Sequence, residues 1–194
     1  MANKRTRAIS REEVEKIIST IRTGFALPDG ERVRPNECIA AALLLEANLG
    51  LRIGDIVRLR LADIIFEGGR YHLAMVEQKT GKSRTFTVPA EVYIYLQNYT
   101  IQQGLRPTQK LFPLTVRAVQ LHLQKVCQYL NLTGVGTHSF RKFFAVSIYT
   151  ENDFNVELVR TLLQHSSVAV TQHYLSVEPK LVEQALRKHI VLPT

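Results

Sequence analysis

The chain has 194 residues, 45% hydrophobic and 22% charged, which describes one ordinary globular domain with a real core and excludes a disordered or collagen-like chain. No run approaches the roughly 18 uncharged apolar residues of a membrane span, and the basic start MANKRTRAIS lacks the apolar stretch of a secretory signal. Lys and Arg number 25 against 17 Asp and Glu, and the resulting +8 suits a polyanionic partner, most often nucleic acid.

Residues 1–9 read as a flexible basic tail, with the folded domain over 10–194. Ser10 and Glu13 have capping-box spacing, and Val14, Ile17, Ile18 and Ile21 recur at helical intervals, so a helix runs to about Arg22. Thr23–Pro35, with its Pro-Asp-Gly, reads as a loop. ECIAAALLLEAN is apolar nearly all round, the mark of a central buried helix, and Gly50 ends it. A short helix is expected at about Ile53–Arg58. Strand formers then dominate Tyr71–Glu77 and Arg84–Val88, separated by a turn at Thr80-Gly81. With LADIIF before Gly68-Gly69 they predict a three-stranded antiparallel meander.

Pro89 opens a helix to about Gln103, and GLRPTQKLFP is a loop. Val116, Val119, Leu123, Val126, Cys127 and Leu130 mark an amphipathic helix that Gly134 and Gly136 break. Thr137 is expected to cap the next helix, whose core stripe is Phe140, Phe143, Phe144 and Ile148. Helices near Val156–Leu163, Val168–Tyr174 and Pro179–Ile190 complete the chain. The predicted class is mainly α (α+β), about eight helices with one small sheet. Cys38 and Cys127 sit in apolar helical patterns and read as buried free thiols of a reducing compartment.

Several residues do not serve a core. Arg52, in LGLRIGDIVRL, has an ordinary reading as the ion-pair partner of Asp55. His138 and Arg141 are three apart, on one helix face turned away from the Phe stripe. Near a helix N-terminus such a pair makes an oxyanion or phosphate site, or simply a solvated polar face. His165 follows an apolar turn in TLLQHSS, and Tyr174 lies in VTQHYL; taken singly, each reads as structural. Lys79, on the expected hairpin turn EQKTGKSR, is either solvated or able to reach into a cleft. The six histidines have no metal-ligand spacing, and GxxxxGK[ST], GxGxxG and GxSxG are absent, so no metal or nucleotide cofactor is expected.

Together these residues resemble the catalytic domain of the tyrosine recombinases, the phage integrase family, over about residues 10–190. GLRIGDI resembles the stretch bearing that family's first catalytic arginine, here Arg52 with its acidic companion Asp55. The hairpin lysine falls at Lys79, with Lys82 as second choice; the HxxR box is His138 to Arg141; and LLQHSSVAVTQHY supplies His165 and the nucleophile Tyr174. Gln164 stands where the family usually has glycine, and a local backbone shift with activity kept is expected there. Larger members carry an N-terminal domain that completes a clamp around DNA, so the resemblance implies a compact single-domain form or a truncated chain.

The resemblance implies site-specific strand exchange on double-stranded DNA through a covalent 3′-phosphotyrosine, with neither metal nor ATP. It implies a monomer without DNA, a homo-tetramer on paired sites, no membrane partner, and a cytoplasmic protein of a prokaryote, phage or mobile element. The last helix, with Leu181, Val182, Ala185, Leu186 and Ile190 on one side, would pack on a neighbouring protomer or on its own domain. The polar side of the Thr115–Leu130 helix, Arg117, Gln120, Gln124 and Gln128, is expected to face DNA. Two rival readings are a type IB topoisomerase, which shares this chemistry, and a catalytically inactive DNA-binding accessory.

Overall fold

The computed structural model describes residues 6–76, Gly81 and 83–175, with the side chains of all these but Arg84, His173 and Tyr174. Helix α1 (Arg11–Thr23) begins at the expected capping box: the Glu13 N–H donates to Ser10 Oγ at 3.1 Å, and the Ser10 N–H to the Glu13 carboxylate at 2.9 Å. Within the segment read as a flexible tail, residues 6–9 are docked on the domain. The Arg7 N–H donates to Gly134 O at 2.8 Å, its Nε–H to Thr133 O at 3.1 Å, and Ile9 is buried.

The segment expected to be a loop carries a small ribbon, β1 (Phe25–Ala26) paired with β2 (Arg32–Val33). The Pro28-Asp29-Gly30 turn folds the chain back, and strands of two residues are too short to leave a periodic signal. Helix α2 (Glu37–Leu49) follows, with Ala40, Ala41, Ala42 and Leu43 wholly enclosed. A helix apolar on every side must be surrounded by other elements, and this one is packed by α1 and by the helices that follow. Asn36 caps its start, and Gly50, left-handed at φ 60°, caps its end. The next helix, α3 (Ile53–Ile56), is a single turn and stops short of the expected Arg58.

LADIIF divides rather than forming one strand. Leu61–Asp63 is a 3-10 turn, held by the Arg60 N–H donating to the Asp63 carboxylate at 2.8 Å, and only then does β3 (Ile64–Glu67) begin. β3, β4 (Arg70–Val76) and β5 (Ser83–Val88) form the expected antiparallel sheet in that order. Ile64, Leu73 and Phe86 align across it and, with Val88, face the core.

The remaining helices are α4 (Ala90–Gln102), α5 (Val116–Tyr129), α6 (Thr137–Glu151), α7 (Val156–Leu163) and α8 (Val168–Leu175). Gly136, not Thr137, is the N-cap of α6, and its N–H is satisfied by Ser139 Oγ at 3.1 Å. The expected helix Pro179–Ile190 lies outside the described residues. Two apolar clusters result. The large one gathers α1 to α5, the sheet and Phe140; the small one is Ala145, Val159, Leu163 and Leu175. Helix α6 runs from the first to the second, which places Arg141 at their junction.

Candidate active site

Two of the expected site residues lie on α6, and they part company. His138 is exposed, whereas Arg141 is only 1% exposed. The expectation that both share one outward polar face is corrected. Arg141 turns inward because the carbonyls at two helix ends converge on it. Its Nη1–H donates to Gly50 O at the end of α2, and its Nη2–H to Leu163 O at the end of α7, at 3.1 Å. A guanidinium leaves water only where donors such as these find acceptors.

His165 stands against the same cation. It is 6% exposed, and its Nε2 lies 3.3 Å from Arg141 Nη2. Its Nδ1 lies 3.1 Å from Thr171 Oγ1, a side chain with no exposed surface. A guanidinium offers only N–H groups, so Nε2 is the acceptor. The network therefore assigns the ring proton to Nδ1, which donates to Thr171, and the Thr171 hydroxyl in turn donates to Ser167 O at 3.4 Å. Thr171 sits on α8 three residues before Tyr174, so the helix that carries Tyr174 is moored to the Arg141–His165 pair. The Tyr174 side chain is not among those described, and Lys79 and Lys82 lie outside the described residues.

Arg52 enters through the chain bend at Gly50. It is the half-buried N-cap residue of α3, two positions past the carbonyl that holds Arg141, and its own carbonyl accepts the Asp55 N–H at 2.8 Å. Asp55 is buried. Beneath this bend lies Glu46, wholly buried, with neither carboxylate oxygen accepting a hydrogen bond of good geometry. Burial pushes its carboxyl well above the usual range, and the Arg141 charge and the Ile53 N–H offset that only in part. A carboxyl biased toward its neutral form leaves the positive charge of Arg141 available to an anion. Sequence reasoning passed over Glu46, although a carboxylate in the apolar body of a helix was a visible signal. Thr171 had a weaker one, its place one turn before Tyr174.

Gly50 is where the site and the fold meet. A Cβ there would sit 2.4 and 2.7 Å from ring carbons of Phe144 and 3.0 Å from Leu163 Cδ2, on a backbone at φ +60°. Gly50→Ala is expected to cost about 2–4 kcal/mol, from the left-handed backbone and overpacking together. That corresponds to a fall of roughly 5–15 °C in Tm. The comparison is Gly30→Ala, at φ +87° with nothing within 4 Å, which carries the backbone cost alone. Equal melting of the two variants in a thermal scan would show that the close approach at Gly50 is not real.

A cavity of about 200 Å³ between α2 and α4, lined by Leu44, Leu45, Asn48, Glu91, Val92 and Tyr95, contains none of the candidate residues. Cys38 and Cys127 are free thiols, and burial pushes Cys127 up to about 11, away from the reactive thiolate. Among the described residues no helix is long and apolar enough to cross a membrane.

The profile of the phage integrase family matches residues 4–180, and the chain belongs to that family. It is 25% identical over 195 residues to the tyrosine recombinase XerA of Pyrococcus furiosus, covering 94% of this chain and 61% of that protein. The chain thus spans about three-fifths of that relative's length. The fold is that of solved recombinases. The catalytic domain of bacteriophage HP1 integrase superposes with a TM-score of 0.61 at 16% identity, covering 95% of each chain. The XerH site-specific recombinase, in a post-cleavage complex with palindromic difH substrate, superposes with a TM-score of 0.68 at 21% identity, covering 95% of this chain and 53% of that one.

Proposed function

We propose that the protein is a site-specific DNA recombinase that cleaves and rejoins double-stranded DNA through a covalent 3′-phosphotyrosine. The observation that carries this reading is the union of Arg141, His165 and, through Thr171, the helix bearing Tyr174. Family membership and the DNA-bound XerH relative in fold support it.

In this reading Arg52 and Arg141 hold the non-bridging oxygens of the scissile phosphate, where negative charge grows during attack. Tyr174 Oη attacks phosphorus, and the bond from phosphorus to the 5′ oxygen breaks. The phenol gives its proton to His138 as general base, and His138 is exposed on α6. His165 hydrogen-bonds a phosphate oxygen; this needs Nε2 to leave Arg141 and carry a proton when DNA arrives. Lys79, with Lys82 as the alternative, protonates the departing 5′ oxygen. The ester keeps the bond energy, so a 5′-hydroxyl from a second duplex reverses the step without ATP. No step calls for a metal.

The polar side of α5 supports a DNA-facing role, because Arg117, Gln120, Gln124 and Gln128 are all exposed. The finer assembly we assign is a monomer that forms a homo-tetramer on two DNA sites in the cytoplasm. The test is a nicked suicide duplex carrying the target site, taken from the repeats that flank the gene. A protein–DNA adduct that survives detergent and disappears with protease is expected. Its yield should fall steeply with salt, since most of the affinity is electrostatic. No adduct at low salt would leave a DNA-binding accessory. An adduct with relaxation of supercoils but no joining of paired sites would make the protein a type IB topoisomerase.

A further inference from the structure

We propose that residues 6–9 form a strap that positions His138, with Arg7 as its anchoring residue. Arg7 holds the turn before α6 at two points: its backbone N–H donates to Gly134 O at 2.8 Å, and its Nε–H to Thr133 O at 3.1 Å. The far end of the same guanidinium forks onto the Glu13 carboxylate, where Nη1–H donates to Oε2 at 2.8 Å and Nη2–H to Oε1 at 2.5 Å. Glu13 closes the capping box of α1, so one arginine joins the start of α1 to the approach to α6. Ile9, buried in the large apolar cluster, seats the end of the strap.

Thr6 carries the strap along the His138 end of α6. Its carbonyl accepts a hydrogen bond from Lys142 Nζ, and Lys142 lies four residues after His138, on the same helix face. Before His138, a Cβ at Gly136 would stand 3.1 Å from the Thr6 methyl. The strap thus meets α6 on both sides of the residue in sequence. His138 belongs to the first turn of α6, and helix ends fray. A general base must sit within hydrogen-bond reach of the phenol it deprotonates, so a shift of about 1 Å in that turn slows the step. The hydrogen bonds between Arg7 and Glu13 raise the guanidinium and hold the carboxyl below the usual carboxylate range, so the pair stays charged at neutral pH. An exposed ion pair is worth little alone, but this fork also donates to Thr133 O and Ala8 O, which fixes its geometry. This role rests on the recombinase reading and on His138 as general base.

The test is a double-mutant cycle between Arg7→Ala and His138→Ala, read as single-turnover cleavage of the suicide duplex at saturating DNA. Arg7→Ala should cleave about tenfold more slowly than wild type. In the His138→Ala background the same change should cost less than about twofold, because a strap that acts through His138 has nothing left to place. Equal losses in the two backgrounds would mean a structural or DNA-binding role for Arg7 and overturn the inference. Glu13→Gln keeps an acceptor for the Ser10 N–H but loosens the fork, and it adds to the net positive charge. Slower cleavage there, by about threefold or more, therefore does not come from weaker attraction to DNA; cleavage at the wild-type rate overturns the inference. Amide hydrogen exchange across residues 133–142 should quicken in Arg7→Ala while its Tm falls by only about 2–4 °C. Unchanged exchange would show that the strap does not hold that turn, and the inference falls. A wild-type protein that gives no adduct overturns the recombinase reading and this role with it, whereas an adduct formed equally fast by wild type and Arg7→Ala overturns this role alone.

Discussion

Tyr174→Phe is expected to give no covalent protein–DNA adduct on the suicide duplex, a loss on the order of 10⁴-fold or more, while duplex affinity stays within about twofold. The substitution deletes one oxygen and keeps the ring. That oxygen is the only atom proposed to bond to phosphorus. Affinity, by contrast, comes from the basic surface, where 25 Lys and Arg outnumber 17 acidic residues, and the phenol adds little to it. The measurement pairs a denaturing gel for the adduct with a mobility-shift titration at fixed salt. An adduct that persists in Tyr174→Phe would strip Tyr174 of its role and send the search to another nucleophile. Loss of binding along with the adduct would instead make Tyr174 part of the DNA-binding surface.

Arg141→Lys is the second large effect, and it acts on chemistry and stability together. Lysine keeps the charge but not the fork, so it cannot serve Gly50 O, Leu163 O and a phosphate from one planar group. Cleavage should fall about 10²–10³-fold, the range for deleting one preorganised donor at a growing oxyanion. Two buried carbonyls also lose good partners, at about 1–2 kcal/mol each, so Tm should drop by roughly 4–16 °C. Arg141→Met separates the two effects. It removes the buried cation altogether, so its stability loss need not exceed that of lysine, while its cleavage must be lower still. Kinetics of single-turnover cleavage and a thermal scan on the same preparations check both. A lysine variant that cleaves like wild type would mean that Arg141 only holds the helices together.

Much of the fold could be read directly. Ser10 and Glu13 announced the start of α1, the all-apolar run announced α2, and the strand formers around Gly68-Gly69 announced the meander. These signals are local: capping and periodicity depend on residues within a turn or two of each other. What failed was also local, but too short to repeat. The two-residue strands β1 and β2 and the 3-10 turn at Leu61–Asp63 are held by turn geometry and a few hydrogen bonds each.

The site divides along the same line. The linear order of residues by itself determined which side chains are candidates, because GLRIGDI, His138 to Arg141 and LLQHSSVAVTQHY each hold their residues at fixed local spacing. Folding alone decided how they face one another. Arg141 and His138 have equal claims in the sequence, yet one is buried and the other exposed. The difference comes from carbonyls 91 and 22 residues away that close on Arg141. The tautomer of His165, the neutral bias of Glu46 and the hydrogen bond from Gln164 Nε2 to Thr85 O arise in the same way. Burial and hydrogen-bond partners are set by segments remote in the chain, and no local pattern carries that information.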